Sequence, residues 1–129
     1  MYLMGIDVGT GGTRVLIINE QGRVISSATE EHEPFASPRI GWAEQNPQDW
    51  WRACTIAVRK ALESAKVEGA KIACLGFSGQ MHGAVMLDER AQIVRPAVIW
   101  CDVRTEKQCA EFTEKVGQDR LIRLVCNPA

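Results

Sequence analysis

Nothing in this sequence marks a disulfide-stapled, zinc-bound, membrane-spanning or nucleic-acid-binding chain. Its five cysteines, Cys54, Cys74, Cys101, Cys109 and Cys126, are odd in number. None stands in a C-x-x-C pair, so neither a disulfide framework nor a zinc site is indicated, and reduced thiols in a cytosolic protein are expected. No basic block interrupts the mixed charges, and the formal net charge is −1; partners such as nucleic acid or a membrane are not expected. No apolar stretch reaches transmembrane length, and the N-terminus lacks the charged and apolar regions of a signal peptide, so a cytoplasmic location is expected. A Gly-Lys-Ser/Thr triplet is absent, which removes the Walker A reading. Repeats, low-complexity tracts and linkers are missing too. What remains, 129 residues at 46% hydrophobic and 24% charged, suits one globular α/β domain able to bury a core.

The stretch from Met4 to Arg14 is where the sequence is most specific. An apolar run meets a single carboxylate, Asp7, and then Gly9-Thr10-Gly11-Gly12-Thr13. Apolar residues resume at once with Val15-Leu16-Ile17-Ile18. This pattern predicts strand, tight turn, strand. Glycines let backbone N–H groups approach a ligand without Cβ obstruction, and arrays of such donors hold phosphate; the Thr hydroxyls are expected to add donors. Asp7, at a strand end, is placed to hold a hydrated cation beside that phosphate. A Rossmann loop would open a helix, whereas β-branched residues follow here.

Further along, residues 2–9, 13–19 and 23–29 predict an antiparallel meander, with the first strand buried on both faces by its apolar run. Residues 32–45, with Pro34, Pro38 and Gly41, predict an extended loop. Asn46 caps and Pro47 begins a helix of about five turns, with Asp49 complementing its dipole and Gly69 as its stop. Residues 72–77 predict a parallel strand ending in the polar loop Ser78 to Gly83. Residues 84–87 and 98–100 predict short strands, 105–116 a helix and 120–125 a short last one. The chain halts at Asn127-Pro128 in a way that suggests a cut.

Three polar stretches therefore follow apolar strands: Asp7 to Arg14, Ser78 to Gly83, and Trp100 to Arg104. Ligands collect at the carboxyl ends of strands in α/β sheets. The same residues carry a resemblance. Gly5-Ile6-Asp7-Val8-Gly9-Thr10, Gly41-Trp42-Ala43-Glu44-Gln45-Asn46-Pro47, Gly79-Gln80-Met81-His82-Gly83, and Arg95-Pro96-Ala97 leading to Trp100-Cys101-Asp102-Val103-Arg104-Thr105 resemble the N-terminal part of the FGGY carbohydrate kinases, most closely the xylulose kinases. The first motif is shared with other sugar kinases, actin and chaperone ATPases; the Gln-Met-His-Gly loop is the specific one.

The resemblance implies an α/β, ribonuclease-H-like mixed sheet of the actin/hexokinase superfamily, with an N-terminal antiparallel meander and flanking helices. It implies that residues 1–129 are part of an N-terminal domain whose partner domain is absent, so that the fragment alone is expected to be inactive. It implies transfer of the γ-phosphate of ATP, with Mg²⁺, to D-xylulose to give D-xylulose 5-phosphate. Another sugar or polyol (gluconate, ribulose, glycerol), or a non-catalytic sugar-binding module, is the alternative. By the same resemblance Asp7 is the catalytic and metal-side residue, and Gly9, Thr10, Gly11, Gly12 and Thr13 form the phosphate turn with Arg14 beside it. Met81 and His82 contact the sugar, and Trp100, Asp102 and Arg104 lie near it or brace its pocket. The general base is implied to be an Asp of the missing domain. The partner is a small sugar, with a homodimer one state open to the parent enzyme.

Other residues read as structural. Glu31-His32-Glu33 reads as a solvated strand end, since its side chains alternate in direction. Trp42, Trp50 and Trp51 read as packing around the helix start. Cys101 has no base partner in sequence, so no nucleophilic role is expected.

Overall fold

The predicted strand, turn and strand open the chain in the computed structural model, which describes residues 1–128. β1 (Tyr2–Val8) pairs antiparallel with β2 (Gly12–Asn19), and β2 with β3 (Val24–Glu31). Beyond them come β4 (Glu44–Gln45), α1 (Pro47–Ala65), a 3₁₀ turn over Gly69–Lys71, β5 (Ile72–Gly79), β6 (Ala97–Val98), α2 (Glu106–Val116) and α3 (Gln118–Val125). β5 lies parallel to β1, so the main sheet is mixed, in the order β3-β2-β1-β5. β4 and β6 form a separate two-stranded ribbon. The α/β class, the meander and the parallel return strand are as expected.

The meander is held by turn chemistry. Asn19 Oδ1 accepts from the backbone N–H of Gln21 (3.0 Å) and Arg23 (2.9 Å), and Gly22 takes φ +75°, a conformation open to glycine at little cost. Gly12 has a stricter role. A Cβ there would come 2.7 Å from the Glu30 carbonyl oxygen of β3, so β2 and β3 meet only because no side chain intervenes. Gly12→Ala is expected to lower unfolding free energy by about 2 kcal/mol, the cost of forcing two paired strands apart. Urea denaturation checks it; an unchanged midpoint would refute the contact.

α1 starts as expected. Asn46 Oδ1 accepts from Gln48 N–H at 3.0 Å, Pro47 occupies the first turn, and Asp49 lies at the positive end of the helix dipole. It stops earlier than Gly69. Lys66 adopts the left-handed conformation (φ +52°), its N–H returning to Glu63 and that of Val67 to Leu62. These bonds satisfy the last carbonyls without glycine, and Gly69 falls in the 3₁₀ turn. Ala53, Ala57 and Ala61 are fully buried at four-residue spacing, which lets the helix lie close to the sheet. Ala57 and Ala61 close the core with Met4, Ile6, Val15 and Ile17. Ser26 Oγ donates to the Ala61 carbonyl at 2.8 Å, binding β3 to the helix.

Three further expectations need correction. β1 is not buried on both faces: Met4 and Ile6 are buried while Gly5 and Asp7 are exposed. α1 packs mainly over β2 and β3, so even on the helix side Leu75 (51% exposed) and Phe77 (71%) of β5 are uncovered. The apolar runs of β1 and β5 suit burial on both faces, but these residues supply cover for half of one face. Residues 84–87 form no strand. They have isolated bridges only, Ala84 to Val98 and Leu87 to Ile93, before a turn in which Asp88 Oδ1 accepts from Arg90 and Gln92 N–H. The loop expected over 32–45 ends in a strand, β4, with Ala36 bridged to Glu44. α2 and α3 pack on each other.

Candidate active site

The tip of the first hairpin is two residues long. Gly9 N–H donates to the Gly12 carbonyl at 3.0 Å, leaving Thr10 and Gly11 at the turn. Their own N–H groups donate to no acceptor among the described residues, so both are free to receive an anion. Asp7 lies one strand residue before Val8, opposite Arg14 of β2 and level with Ser78 of β5. These three share the face away from α1. The Asp7 carboxylate is exposed and takes no hydrogen bond from the described residues.

The loop after β5 runs beside this tip. Gln80 N–H continues the β1–β5 ladder by donating to Val8 C=O at 2.9 Å. A Cβ on Gly79 would come 3.2 Å from the same oxygen, which keeps the crossing tight. His82 then takes φ +58°, a left-handed conformation uncommon outside glycine and often found at functional sites. Trp100 closes the far side, its indole N–H donating to Thr10 Oγ1 at 2.9 Å. Together Asp7, Gly9, Thr10, Gly79, Gln80, Met81, His82 and Trp100 line an open cleft of about 450 Å³. The three strand-end stretches thus do meet.

Not every expected residue reaches it. Thr13 is fully buried, its hydroxyl 2.9 Å from His32 Nε2; its side chain cannot be a phosphate donor. The hydroxyl of Thr10 is occupied as well, donating to Gln80 Oε1 at 3.3 Å. The free donors of the turn are therefore backbone N–H groups, not the hydroxyls that the sequence suggested. Arg14 is exposed, with Nε 3.4 Å from Thr29 Oγ1, on the Asp7 face. Asp102 and Arg104 lie outside the cleft lining. The Asp102 side chain, 2% exposed, accepts from Ala43 N–H (2.6 Å), Arg104 N–H (2.9 Å) and the Arg104 guanidinium (2.6–2.9 Å). Arg104 also pairs with Glu44 at 2.8 Å, which pairs in turn with Arg95, and it stacks 3.8 Å over the Trp42 ring. The Arg104 hydrogen bonds hold the Asp102 carboxyl well below the ordinary carboxylate range, against the opposing effect of burial. These bonds tie Asp102 to Ala43 and Arg104, and the pair braces the loop behind Trp100.

Residues missed in sequence do much of the holding. His32 is 7% exposed, not a solvated strand end. Its N–H donates to Gly11 C=O at 3.0 Å, and its ring spans Thr13 Oγ1 and, at 3.4 Å, Thr10 C=O. A carbonyl only accepts, so Nδ1 is the donor on that side of the ring. Gln45, 5% exposed, donates to Thr10 C=O at 2.8 Å. Buried polar side chains must be paired, but the partners lie 19 and 35 positions away in sequence; no local pattern reveals them. A larger hollow, about 600 Å³, lies by the α1 N-terminus. Two of its three carboxylates are already engaged, Asp49 by Arg52 and Glu33 N–H and Glu44 by the two arginines, while that of Glu33 takes no partner among the described residues.

Among the described residues no helix is long and apolar enough to cross a membrane. Compared with known proteins, residues 2–128 match the pattern of the FGGY family of carbohydrate kinases, N-terminal domain. The chain is 36% identical over 126 residues to the xylulose kinase of Bacillus subtilis (strain 168), covering 98% of this chain and 25% of that protein. It is 42% identical over 122 residues to that of Klebsiella pneumoniae, covering 95% and 24%. A glycerol kinase of Corynebacterium glutamicum (strain R) is 34% identical, over 92% of this chain and 23% of its own length. The crystal structure of a xyloylose (xylulose) kinase from Brucella ovis superposes with a TM-score of 0.85 at 34% identity, over 89% of this chain and 24% of that one. The chain thus spans about a quarter of the length of the relatives it matches.

Proposed function

The chain belongs to the FGGY family of carbohydrate kinases, and on that premise we propose that it is part of the N-terminal domain of an ATP-dependent kinase that phosphorylates D-xylulose at its terminal hydroxyl. The observation that carries this reading is the single cleft shared by Asp7, Gly9, Thr10, Met81, His82 and Trp100. Phosphoryl transfer needs charge neutralisation and alignment more than covalent chemistry from the protein. The free N–H groups of the tip suit the phosphates. An exposed, unpaired carboxylate at Asp7 suits a hydrated Mg²⁺, which is held by one or two carboxylates together with phosphate oxygens. When bound, that ion would neutralise charge on the phosphates. Asp7 would be the residue that holds it, and the sugar sits against Met81, His82 and Trp100, with its terminal hydroxyl toward the tip. His82, with one ring nitrogen donating and one accepting, fits a polyol hydroxyl. The general base is a carboxylate from a second domain that closes over the cleft.

Xylulose is supported by the number of xylulose kinases among the relatives, at 30–42% identity; a glycerol kinase at 34% falls inside that range, so activity decides between them. The test is ADP release by the protein at its natural length against D-xylulose, D-ribulose, D-gluconate and glycerol. Highest kcat/KM with D-xylulose is expected; a preference for glycerol or gluconate would reassign the substrate within the family. His82→Ala is expected to raise the KM for the sugar about 30-fold, equivalent to one or two lost hydrogen bonds, with the KM for ATP unchanged. A loss confined to ATP would place the loop on the wrong substrate.

A further inference from the structure

The turn and the loop are joined by a closed ring of side-chain hydrogen bonds. Gln45 Nε2 donates to Thr10 C=O (2.8 Å), Thr10 Oγ1 to Gln80 Oε1 (3.3 Å), and Gln80 Nε2 to Gln45 Oε1 (3.0 Å). Two tryptophans set the direction of the ring. An indole N–H can only donate. Trp50 Nε1 donates to Gln45 Oε1 at 3.1 Å, which fixes the Gln45 amide with its nitrogen toward Thr10. Trp100 Nε1 donates to Thr10 Oγ1 at 2.9 Å, which turns the Thr10 proton toward Gln80. Each amide can satisfy its neighbours in one orientation only.

We propose that Gln45 is a positioning residue: with Trp50 behind it, it locks the Thr10-Gly11 tip to the Gln80-Met81-His82 loop, so that phosphate and sugar are held at one fixed separation. This rests on reading the cleft as a phosphoryl-transfer site. Gln45 does not line the cleft; it acts through Thr10 and Gln80. Ring formation ties three strand ends, from β1, β4 and β5, into one unit, and it links the Trp100 wall to the tip through the same hydroxyl. In-line transfer depends on such alignment, and a displacement of about 1 Å costs about 100-fold in rate.

Gln45→Glu tests it, because it keeps the shape but sets a carboxylate oxygen against the Thr10 carbonyl. In the protein at its natural length, amide hydrogen exchange at Gly9 and Gln80, whose N–H groups bond Gly12 and Val8 C=O, is expected to accelerate together by about tenfold, with α1 unchanged. kcat should fall by about 30- to 100-fold, with both KM values within about threefold. Trp50→Phe removes only the orienting donor and should produce the same paired pattern in smaller degree; it decides the matter if Gln45→Glu does not fold. Exchange that rises at residue 45 but leaves Gln80 unmoved, or a KM increase with kcat intact, would overturn the proposal. If the wild-type protein transfers no phosphate, the kinase reading fails, while the exchange data still decide whether tip and loop are locked.

Discussion

Asp7→Asn, in the protein at its natural length, is expected to lower kcat about 1,000-fold while the KM for the sugar changes by less than about threefold. Asn keeps the size and one acceptor oxygen but removes the charge. Asp7 is exposed, free of protein partners and paired across the sheet with Arg14 and Ser78, so the fold has little to lose. On the proposed function, what is lost is charge placed where phosphate and cation would meet, and electrostatic groups aimed at the transition state are worth about 100- to 1,000-fold each. Steady-state kinetics at varied sugar and fixed saturating ATP separate the two parameters. A sugar-side effect, with KM raised and kcat kept, would move Asp7 out of the phosphate half of the cleft.

Asp102→Asn should behave in the opposite way: large loss of stability, little change in substrate affinity. The carboxylate takes four kinds of donor, from Ala43 N–H and from the N–H, Nε and Nη2 of Arg104. Removing one partner of a buried ion pair leaves the other uncompensated and costs about 3 kcal/mol; Arg104 keeps Glu44, which sets the lower end of that range. The pH dependence follows in sign. A carboxyl held below its ordinary range contributes stability that is present above the unfolded pKa, about 3.9, and is lost as pH falls through the lower folded value. The gap between wild type and Asp102→Asn is thus expected to be constant from pH 8 to pH 5 and to narrow only under about pH 4. Urea titrations across that range check it. A gap that closes near pH 6, or a sugar KM that rises with stability intact, would return Asp102 to the substrate.

These two aspartates mark how far the sequence could be read. Asp7 was legible because its setting is local: an apolar strand before it, three glycines after it, a β-branched run beyond. Met81, His82 and Trp100 were legible through motif order and their position at strand ends. Asp102 was read as lying near the sugar or bracing its pocket; its partners, Arg104 and a backbone N–H 59 positions away, are a pairing only the folded loop reveals. The same holds for His32 and Gln45, whose polar atoms turn inward under the hairpin tip. In the fold, helix α1 announced its start through Asn46 and Pro47, but its end fell to Lys66, because a Schellman-like turn tolerates a non-glycine residue when the bonds are made. Residues 84–87 had the apolar pattern of a strand and lacked a neighbouring strand to pair with along their length. Burial was the least legible property. Strands β1 and β5 are composed for cover on both faces, and cover depends on which other segments pack there.

The central claim is that this cleft directs a phosphoryl group from ATP to a sugar hydroxyl. Its most direct test follows the phosphorus: the protein at its natural length is incubated with γ-labelled ATP and D-xylulose, and the labelled products are separated. One labelled xylulose 5-phosphate per ADP released is the predicted result. Label appearing only as inorganic phosphate, or ADP release that does not depend on the sugar, would contradict it.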